Sequence, residues 1–188
     1  PTNGEFAAAI AVAPSQTYYY RCYASNTVGD AWAVATTGLV SAPVGVTRTW
    51  AGSNDWNEGT NWTPAGVPAA NDRVVIGSGL TILSNAVYVD VLVVSNAATL
   101  VLSNWTTRVT AAGDVSVLSG GTITLPPAFR DSEMSNRVWI ACSNLSLAAG
   151  AAIDADAKGW RGGLDTTYPA SGPGAGGVTW AGGGYGGR

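Results

Sequence analysis

The fold is decided by the segment from Val74 to Ala155, which begins VVIGSGLTILSNAVYVDVLVVSNAATLVL (residues 74–102). One apolar pattern recurs in it, starting at positions 74, 92, 115 and 145. Each copy has two alternating apolar residues, then a turn of small or polar residues, then an apolar residue six positions after the second. The copies are Val74, Ile76 and Ile82; Leu92, Val94, Leu100 and Leu102; Val115, Val117, Ile123 and Leu125; and Leu145, Leu147, Ile153 and Ala155.

This repeat predicts stacked β-strands. Alternation with period two puts the apolar side chains on one face of a strand. Repetition at roughly 20–30 residues is typical of a solenoid, in which each turn buries its face against its neighbours. We therefore expect an all-β protein whose residues 74–157 form the coils of a parallel β-helix, with buried and stacked inward positions. The expected stacks are Leu92, Val115 and Leu145, and beside them Val94, Val117 and Leu147.

The composition is unusual for a globular enzyme. Charged residues make up 11% of the 188 residues and the net charge is −3, whereas about 25% charged residues is ordinary. The surface must then be covered by small and hydroxyl residues, which favours an exported or self-associating protein. The basic residues are scattered, so nucleic acid is not an expected partner. No apolar run reaches the ~18 residues of a membrane span. We interpret Cys22 and Cys142 as small buried apolar side chains, with a disulfide as the alternative.

Residues 1–42 are predicted to form three strands, Phe6–Ala13, Thr17–Ser25 and Ala31–Thr37, with a hairpin turn at 26–30. The run TYYYRCYASNTVGDAWA (residues 17–33) resembles the closing hairpin of a fibronectin type III or related immunoglobulin-like sandwich. The resemblance implies a sandwich of about seven strands. Three strands are part of such a fold, so we expect the other strands before Pro1 or from another chain.

Residues 43–73 are predicted to be a linker or cap. Trp50, Trp56 and Trp62 recur there at a spacing of six, and a solenoid needs a cap over its terminal apolar face. The run TWAGSNDWNEGTNWTPAGVPAANDRVVI (residues 49–76) resembles the segment that leads into the first coil of bacterial secreted, autotransporter-like β-helix proteins. The matching positions are Asn61, Trp62, Val67, Pro68, Asp72 and Val74 to Ile76. Exposed indole rings acting as sugar platforms are the alternative for the three tryptophans.

Residues 158–188 are rich in glycine and carry spaced aromatic residues. Composition alone is typical of a flexible tail. The regular aromatics favour ordered packing against the last coil, and further coils are expected after Arg188. The segment containing Pro126, Pro127 and residues 130–133 is predicted to be a loop that projects from the stack.

Few groups of residues in the sequence suggest a catalytic or metal-binding role. The sequence has no histidine, which excludes Ser-His-Asp and Cys-His arrangements within the chain. Asp154 and Asp156, on one side of a predicted strand, are candidate ligands for Ca²⁺. Some β-helix polysaccharide lyases pair such carboxylates with a basic residue, for which Lys158 and Arg161 are available, with Asp165 as a further carboxylate. Asp55, Glu58 and Asp72 form a second candidate cation group.

These observations favour an extracellular, non-enzymatic structural or adhesive protein that belongs to a larger or self-assembling structure, such as a filament or layer. Tyr18, Tyr20 and Trp32 are the residues expected at the assembly contact. The expected partners are further copies, or the rest of a longer chain, and cell-surface glycans. The alternative is a carbohydrate-binding or polysaccharide-degrading β-helix module, with Trp50, Trp56 and Trp62 in contact with the sugar. No cofactor is expected apart from Ca²⁺.

Overall fold

A computed structural model describes residues 9–130 and 136–163, together with positions 170 and 172. Within these ranges the chain is all-β, with eighteen short strands and a single 3₁₀-helical turn at Gly59–Asn61. Antiparallel and parallel pairs both occur. The chain divides into two compact units, which we call the first unit (Pro1–Val44) and the second unit (Gly45–Arg188).

The first unit contains two antiparallel ribbons, which follow one another along a single hairpin. Its strands are β1 (Thr17–Tyr20), β2 (Tyr23–Ser25), β3 (Asp30–Trp32) and β4 (Thr37–Val40). β1 pairs with β4, and β2 pairs with β3. The predicted hairpin turn is confirmed between β2 and β3. The Asn26 side-chain oxygen accepts hydrogen bonds from the backbone N–H groups of Val28 and Gly29, which holds the turn closed.

The strand boundaries predicted for the first unit need correction. Residues 9–13 are not a strand, and residues 6–8 lie outside the described ranges. The predicted strand Thr17–Ser25 is interrupted at residues 21 and 22, and Ala31–Thr37 is split between the ends of β3 and β4. The reason is an unequal number of residues: four residues (33–36) separate β3 from β4, but two (21 and 22) separate β1 from β2, so the pairing is interrupted there. β-Propensity alone does not show such an interruption.

The second unit contains the remaining strands. They are β5 (Thr47–Trp50), β6 (Asn54–Asp55), β7 (Trp62–Thr63), β8 (Arg73–Ile76), β9 (Leu80–Leu83), β10 (Ala86–Val89), β11 (Val91–Val94), β12 (Thr99–Leu102), β13 (Arg108–Ala111), β14 (Asp114–Val117), β15 (Thr122–Thr124), β16 (Ile140–Ala141), β17 (Asn144–Leu147) and β18 (Ala152–Asp154). Successive coils of the chain place them in three sheets.

We number these sheets 1 to 3. Sheet 1 has the order β7, β5, β8, β11, β14, β17; sheet 2 has β6, β9, β12, β15, β18; sheet 3 has β10, β13, β16. Every pair in them is parallel except β5 with β7. Residues 43–73 therefore contribute a first coil, because β5 and β6 are parallel partners of β8 and β9.

The register of sheet 1 confirms the predicted stacks. Val74, Leu92, Val115 and Leu145 are paired in succession across four strands, as are Ile76, Val94, Val117 and Leu147. The members on β8, β11 and β14 are fully buried. The predicted burial of the last pair is wrong: Leu145 and Leu147 are each 47% exposed. They lie on β17, and no other described strand pairs with the outer side of β17.

Sheet 2 shows one error in the predicted repeat. Ile82 was expected to point inward, but Thr81 and Leu83 are the buried residues of β9, since they pair with Leu100 and Leu102. The corner before β9 has three residues (77–79), whereas the corners before β12, β15 and β18 have four. Because side chains alternate along a strand, one residue fewer in the corner exchanges the inward and outward faces.

The repeat found in the sequence did not predict sheet 3. Its inward side chains Val87, Val89, Val109 and Ala111 are buried in the same core as those of sheets 1 and 2. The sequence did contain short stretches with apolar residues at alternate positions, namely AVYV (residues 86–89) and RVTA (residues 108–111). The core is therefore enclosed on three sides by hydrogen-bonded strands.

The glycine-rich segment is described only at its start. Phe129 and Trp160 form a parallel bridge with ring centroids 4.5 Å apart, so this first aromatic residue packs against the segment that follows β15. Tyr168, Trp180 and Tyr185 lie outside the described residues, as do positions 131–135 of the predicted loop. Cys22 is exposed and Cys142 partly buried, and both are free thiols. Burial was thus predicted wrongly for Cys22, which lies between β1 and β2.

Thr81 provides a test of the inward face of sheet 2. Its side chain is fully buried, and its hydroxyl oxygen has no hydrogen-bond partner among the described residues. Thr81→Val replaces that hydroxyl with a methyl group of similar size. We expect the free energy of unfolding to rise by about 1 kcal/mol, because an unsatisfied buried polar group is removed. Chemical denaturation measures the change. Thr122→Val, at an outward position of β15, is the control, and a loss of stability in Thr81→Val contradicts the assignment.

Candidate functional site

The three regularly spaced tryptophans form one cluster at the first coil. Trp50, Trp56 and Trp62 are at most 4% exposed. The Trp62 ring lies edge-on to both neighbours with centroid distances of 4.9 Å, and its Nε1–H donates to the Trp56 carbonyl at 2.8 Å. The cluster belongs to the hydrophobic core, and a capping role for it stays a prediction. Because the protein covers the ring faces, this structure offers no indole surface there on which a sugar could stack.

Asp72 is a buried, hydrogen-bonded carboxylate at the same first coil of the second unit. Its Oδ2 accepts hydrogen bonds from Arg48 Nε at 2.8 Å and from the Ala69 N–H at 2.9 Å. Its Oδ1 accepts from the Val46 N–H at 2.9 Å. Arg48 in turn donates to the carbonyls of Pro64 and Ala65. One buried carboxylate therefore joins the start of β5, the loop after β7 and the start of β8.

The environment of Asp72 shifts its pKa. Burial alone raises the pKa of the carboxyl, but the N–H groups of Ala69 and Val46, together with the guanidinium of Arg48, stabilise the charged form more strongly. The net pKa is below the ordinary value. A carboxyl with a lowered pKa in the folded state stabilises the fold above its unfolded-state pKa. That contribution is lost as the pH falls through the lowered value.

We expect Asp72→Asn to lower the free energy of unfolding by about 3 kcal/mol at pH 7, because the partly buried Arg48 loses its charged partner. The variant should also show a weaker loss of stability on acidification below about pH 4, the range in which the unfolded carboxyl titrates. Urea denaturation at several pH values measures both effects. Asp90→Asn, at an exposed aspartate, serves as the control. Equal behaviour of the two variants would count against this role for Asp72.

The carboxylates predicted to bind Ca²⁺ have local partners. Asp154 ends β18 and its Oδ1 accepts the Asp156 N–H at 2.9 Å. Asp156 therefore follows the strand in a turn, and the expected projection of both side chains from one side of a strand is wrong. No group of three or more metal-ligating side chains is found among residues 9–130 and 136–163. Asp165 lies outside these ranges. A Ca²⁺ role for Asp154 and Asp156 stays a prediction.

The second candidate cation group is also engaged locally. Asp55 Oδ1 accepts the Asn57 N–H. Glu58 accepts the N–H and hydroxyl of Thr60, and these bonds lower the pKa of Glu58. Asp72 is paired with Arg48. Each of the three carboxylates therefore bonds to a different local partner.

The predicted assembly residues lie on the two ribbons of the first unit. Tyr18 is partly buried, and its hydroxyl accepts the Ala13 N–H at 2.7 Å. Tyr20 and Trp32 are each more than half exposed. Trp32 stacks on Tyr23 with centroids 4.7 Å apart. Two of the three side chains thus present their surface to solvent.

Sequence reasoning missed an alternating row of aromatic and arginine side chains at sheet 3, which we call the aromatic–arginine ladder. It consists, in spatial order, of Tyr88, Arg108, Trp139, Arg137 and Trp105. The guanidinium carbon of Arg108 is 5.3 Å from the Tyr88 centroid and 5.2 Å from that of Trp139. That of Arg137 is 4.1 Å from the Trp139 centroid and 4.8 Å from that of Trp105. All four distances are within the range of cation–π attraction.

The signal for the ladder was the tripeptide Arg137-Val138-Trp139, which places Arg137 and Trp139 on the same face if it is extended. Its partners come from earlier coils, so sequence spacing does not reveal them. Arg108 also donates to the Tyr88 hydroxyl. The Val109 N–H bonds to the Trp139 carbonyl at 3.0 Å, which fixes Arg108 next to Trp139.

Comparisons with known proteins gave no identification. No protein-family model matches the sequence, no curated protein matches it, and no solved structure matches the fold. In the part of the chain that the structure describes, no helix has the length and apolar character needed to cross a membrane.

Proposed function

We propose that this chain is an extracellular, non-enzymatic structural or adhesive protein of the cell surface, and that it belongs to a larger or self-assembling structure such as a filament or layer. One observation carries the proposal: the first unit has two ribbons with exposed aromatic side chains and almost no buried core. Across its described positions, 9–44, Ser41 is the single buried residue.

Such ribbons need a partner. A two-stranded antiparallel ribbon is marginally stable by itself in water, and its edges are free to pair with further strands. The exposed rings of Tyr20 and Trp32 add apolar area that a partner would cover. We propose the first unit of another copy as this partner. The net charge of −3 over 188 residues gives little repulsion between copies.

The last coil supports the same proposal from the second unit. Leu145 and Leu147 occupy inward positions of the repeat but are nearly half exposed. Among the strands that the structure describes, none pairs with the outer side of β16, β17 or β18. A further coil of the same kind would cover these leucines and pair with these edges. Contacts between two different surfaces propagate as a fibre unless the rotation between subunits closes a ring.

We further propose that the second unit is a parallel β-helix, and that the first unit belongs to an incomplete fibronectin type III-like or immunoglobulin-like fold. The three parallel sheets with one strand per coil support the first assignment. The Asn26 hairpin supports the second. The resemblance to autotransporter-like secreted proteins and the 11% of charged residues favour an extracellular location.

A glycan-binding role is the second candidate. Burial of Trp50, Trp56 and Trp62 counts against the site first expected for it. The half-exposed aromatic rings of the ladder favour a different site for the same class of ligand.

Sedimentation velocity over a series of protein concentrations tests the assembly proposal. We expect the unaltered chain to associate as its concentration rises. Replacing Tyr20 and Trp32 together by serine should weaken the association at least about tenfold, because exposed aromatic residues contribute most at such contacts.

The control for this experiment is Val28→Ser. Val28 is almost fully exposed at the tip of the β2–β3 hairpin, so the change removes an apolar side chain from the same unit away from the ribbon faces. A monomer that persists at all concentrations would overturn the proposal. So would a loss of association in Val28→Ser equal to that of the double variant.

A further inference from the structure

We infer that the aromatic–arginine ladder at sheet 3 is a binding site for an acidic polysaccharide, with the arginines bonding to carboxylates and the rings packing on sugar faces. This site differs from the three tryptophans expected to bind sugar, and it does not depend on the proposed self-assembly. The inference rests on the position of the ladder, on its unpaired charges and on its exposed rings.

The strands of sheet 3 hold the ladder in place. Tyr88 lies on β10 between Val87 and Val89, whose side chains point into the core. Arg108 precedes the inward Val109 on β13. Trp139 comes immediately before β16, so Tyr88, Arg108 and Trp139 belong to three successive coils, whose neighbouring strands lie about 4.8 Å apart. Arg137 lies two residues before Trp139, and Trp105 lies in the turn between β12 and β13. A row of side chains from three coils can contact several units of a polymer, and the packed core beneath it limits the conformational entropy that binding must remove.

The charges of the ladder lack carboxylate partners within the described ranges. There the single ion pair is Arg48 with Asp72, neither of which belongs to the ladder. The Nε–H groups of Arg108 and Arg137 are buried and donate to no acceptor among the described residues. A ligand would therefore meet the outer guanidinium nitrogens, of which one on Arg108 also donates to the Tyr88 hydroxyl. These nitrogens form a planar fork that suits the two oxygens of a carboxylate.

The rings are accessible as well. Tyr88, Trp105 and Trp139 are between 39% and 50% exposed. Aromatic faces carry partial negative charge, which attracts the weakly positive C–H groups on the face of a sugar ring. Two arginines already lie over the Trp139 ring. The sugar faces would therefore pack on Tyr88 and Trp105, which end the ladder and have one arginine neighbour each. A polymer in which rings and carboxylates alternate would match the alternation of aromatic and arginine side chains.

Single-stranded nucleic acid also combines rings with anionic groups, and proteins bind it with aromatic platforms in basic grooves. The chain as a whole argues against it. Its net charge is −3, whereas nucleic-acid binding draws most of its affinity from a concentrated basic surface. A polysaccharide with a carboxylate on alternate sugars has a lower charge density, which suits a site with two arginines.

The test is affinity measurement by calorimetry with four probes: hyaluronan, which has a carboxylate on alternate sugars; uncharged dextran; polyglutamate, which has carboxylates without sugars; and single-stranded DNA. The unaltered chain should bind hyaluronan more tightly than the other three. Arg108→Gln and Arg137→Gln should each weaken that binding at least about tenfold, since each removes a charged hydrogen-bond donor. Arg73→Gln is the matched control, because Arg73 is an exposed arginine on β8, outside the ladder, and the change in net charge is the same.

Thermal unfolding of each variant shows whether it remains folded. Arg108→Lys and Arg137→Lys provide a second pair that keeps the charge but loses the planar fork, and they should bind at an intermediate strength. The inference is overturned if the unaltered chain does not bind hyaluronan, or if dextran, polyglutamate or DNA binds as tightly. It is also overturned if folded glutamine or lysine variants bind like the unaltered chain, or if Arg73→Gln loses as much affinity as they do.

Discussion

The number of residues in each corner is the constraint on which the second unit depends. Parallel strands fix the register from coil to coil, and alternation then decides which side chains enter the core. Corners of four residues precede β12, β15 and β18, and each keeps the apolar positions facing inward. Where the corner has three residues, before β9, a threonine enters the core and Ile82 faces outward. The fold accommodates this because its neighbours Leu83 and Leu100 remain buried.

The same constraint explains how the outer surface is built. Every inward valine or leucine has an outward neighbour on the same strand, and across sheet 3 these neighbours include Tyr88 and Arg108. The core therefore positions the ladder. At the first coil, Asp72 and Arg48 have an equivalent effect on the backbone, because their hydrogen bonds join the loop after β7 to the paired strands β5 and β8. In the second unit, the hydrogen bonds of Asp72 and Arg48 thus position the backbone at the first coil, and the stacked apolar side chains position the outer surface of the later coils.

Part of this architecture could be predicted from the sequence. The positions in sheet 1 were predictable because four copies share one alternation, and Val74, Leu92 and Val115 align in the structure as expected. Sheet 3 was not predicted, because its last strand, β16, has two residues and follows a long insertion after β15, which leaves two copies of its alternation. The exposure of Leu145 was missed because a repeat shows which residues face inward without showing what covers the last of them. The ladder was missed for a related reason, since its members come from three coils.

Hydrogen exchange of the backbone amides tests the central claim most directly, namely that the coils of the second unit share one cooperative core while the ribbons of the first unit have none. The slowest-exchanging amides of a protein open only when the cooperative unit unfolds. The amides of β8, β11 and β14 should therefore exchange slowly and at a common rate, β17 should exchange faster, and β1 to β4 should exchange fastest. Slow exchange in β1 to β4, or unrelated rates in β8, β11 and β14, would contradict the account.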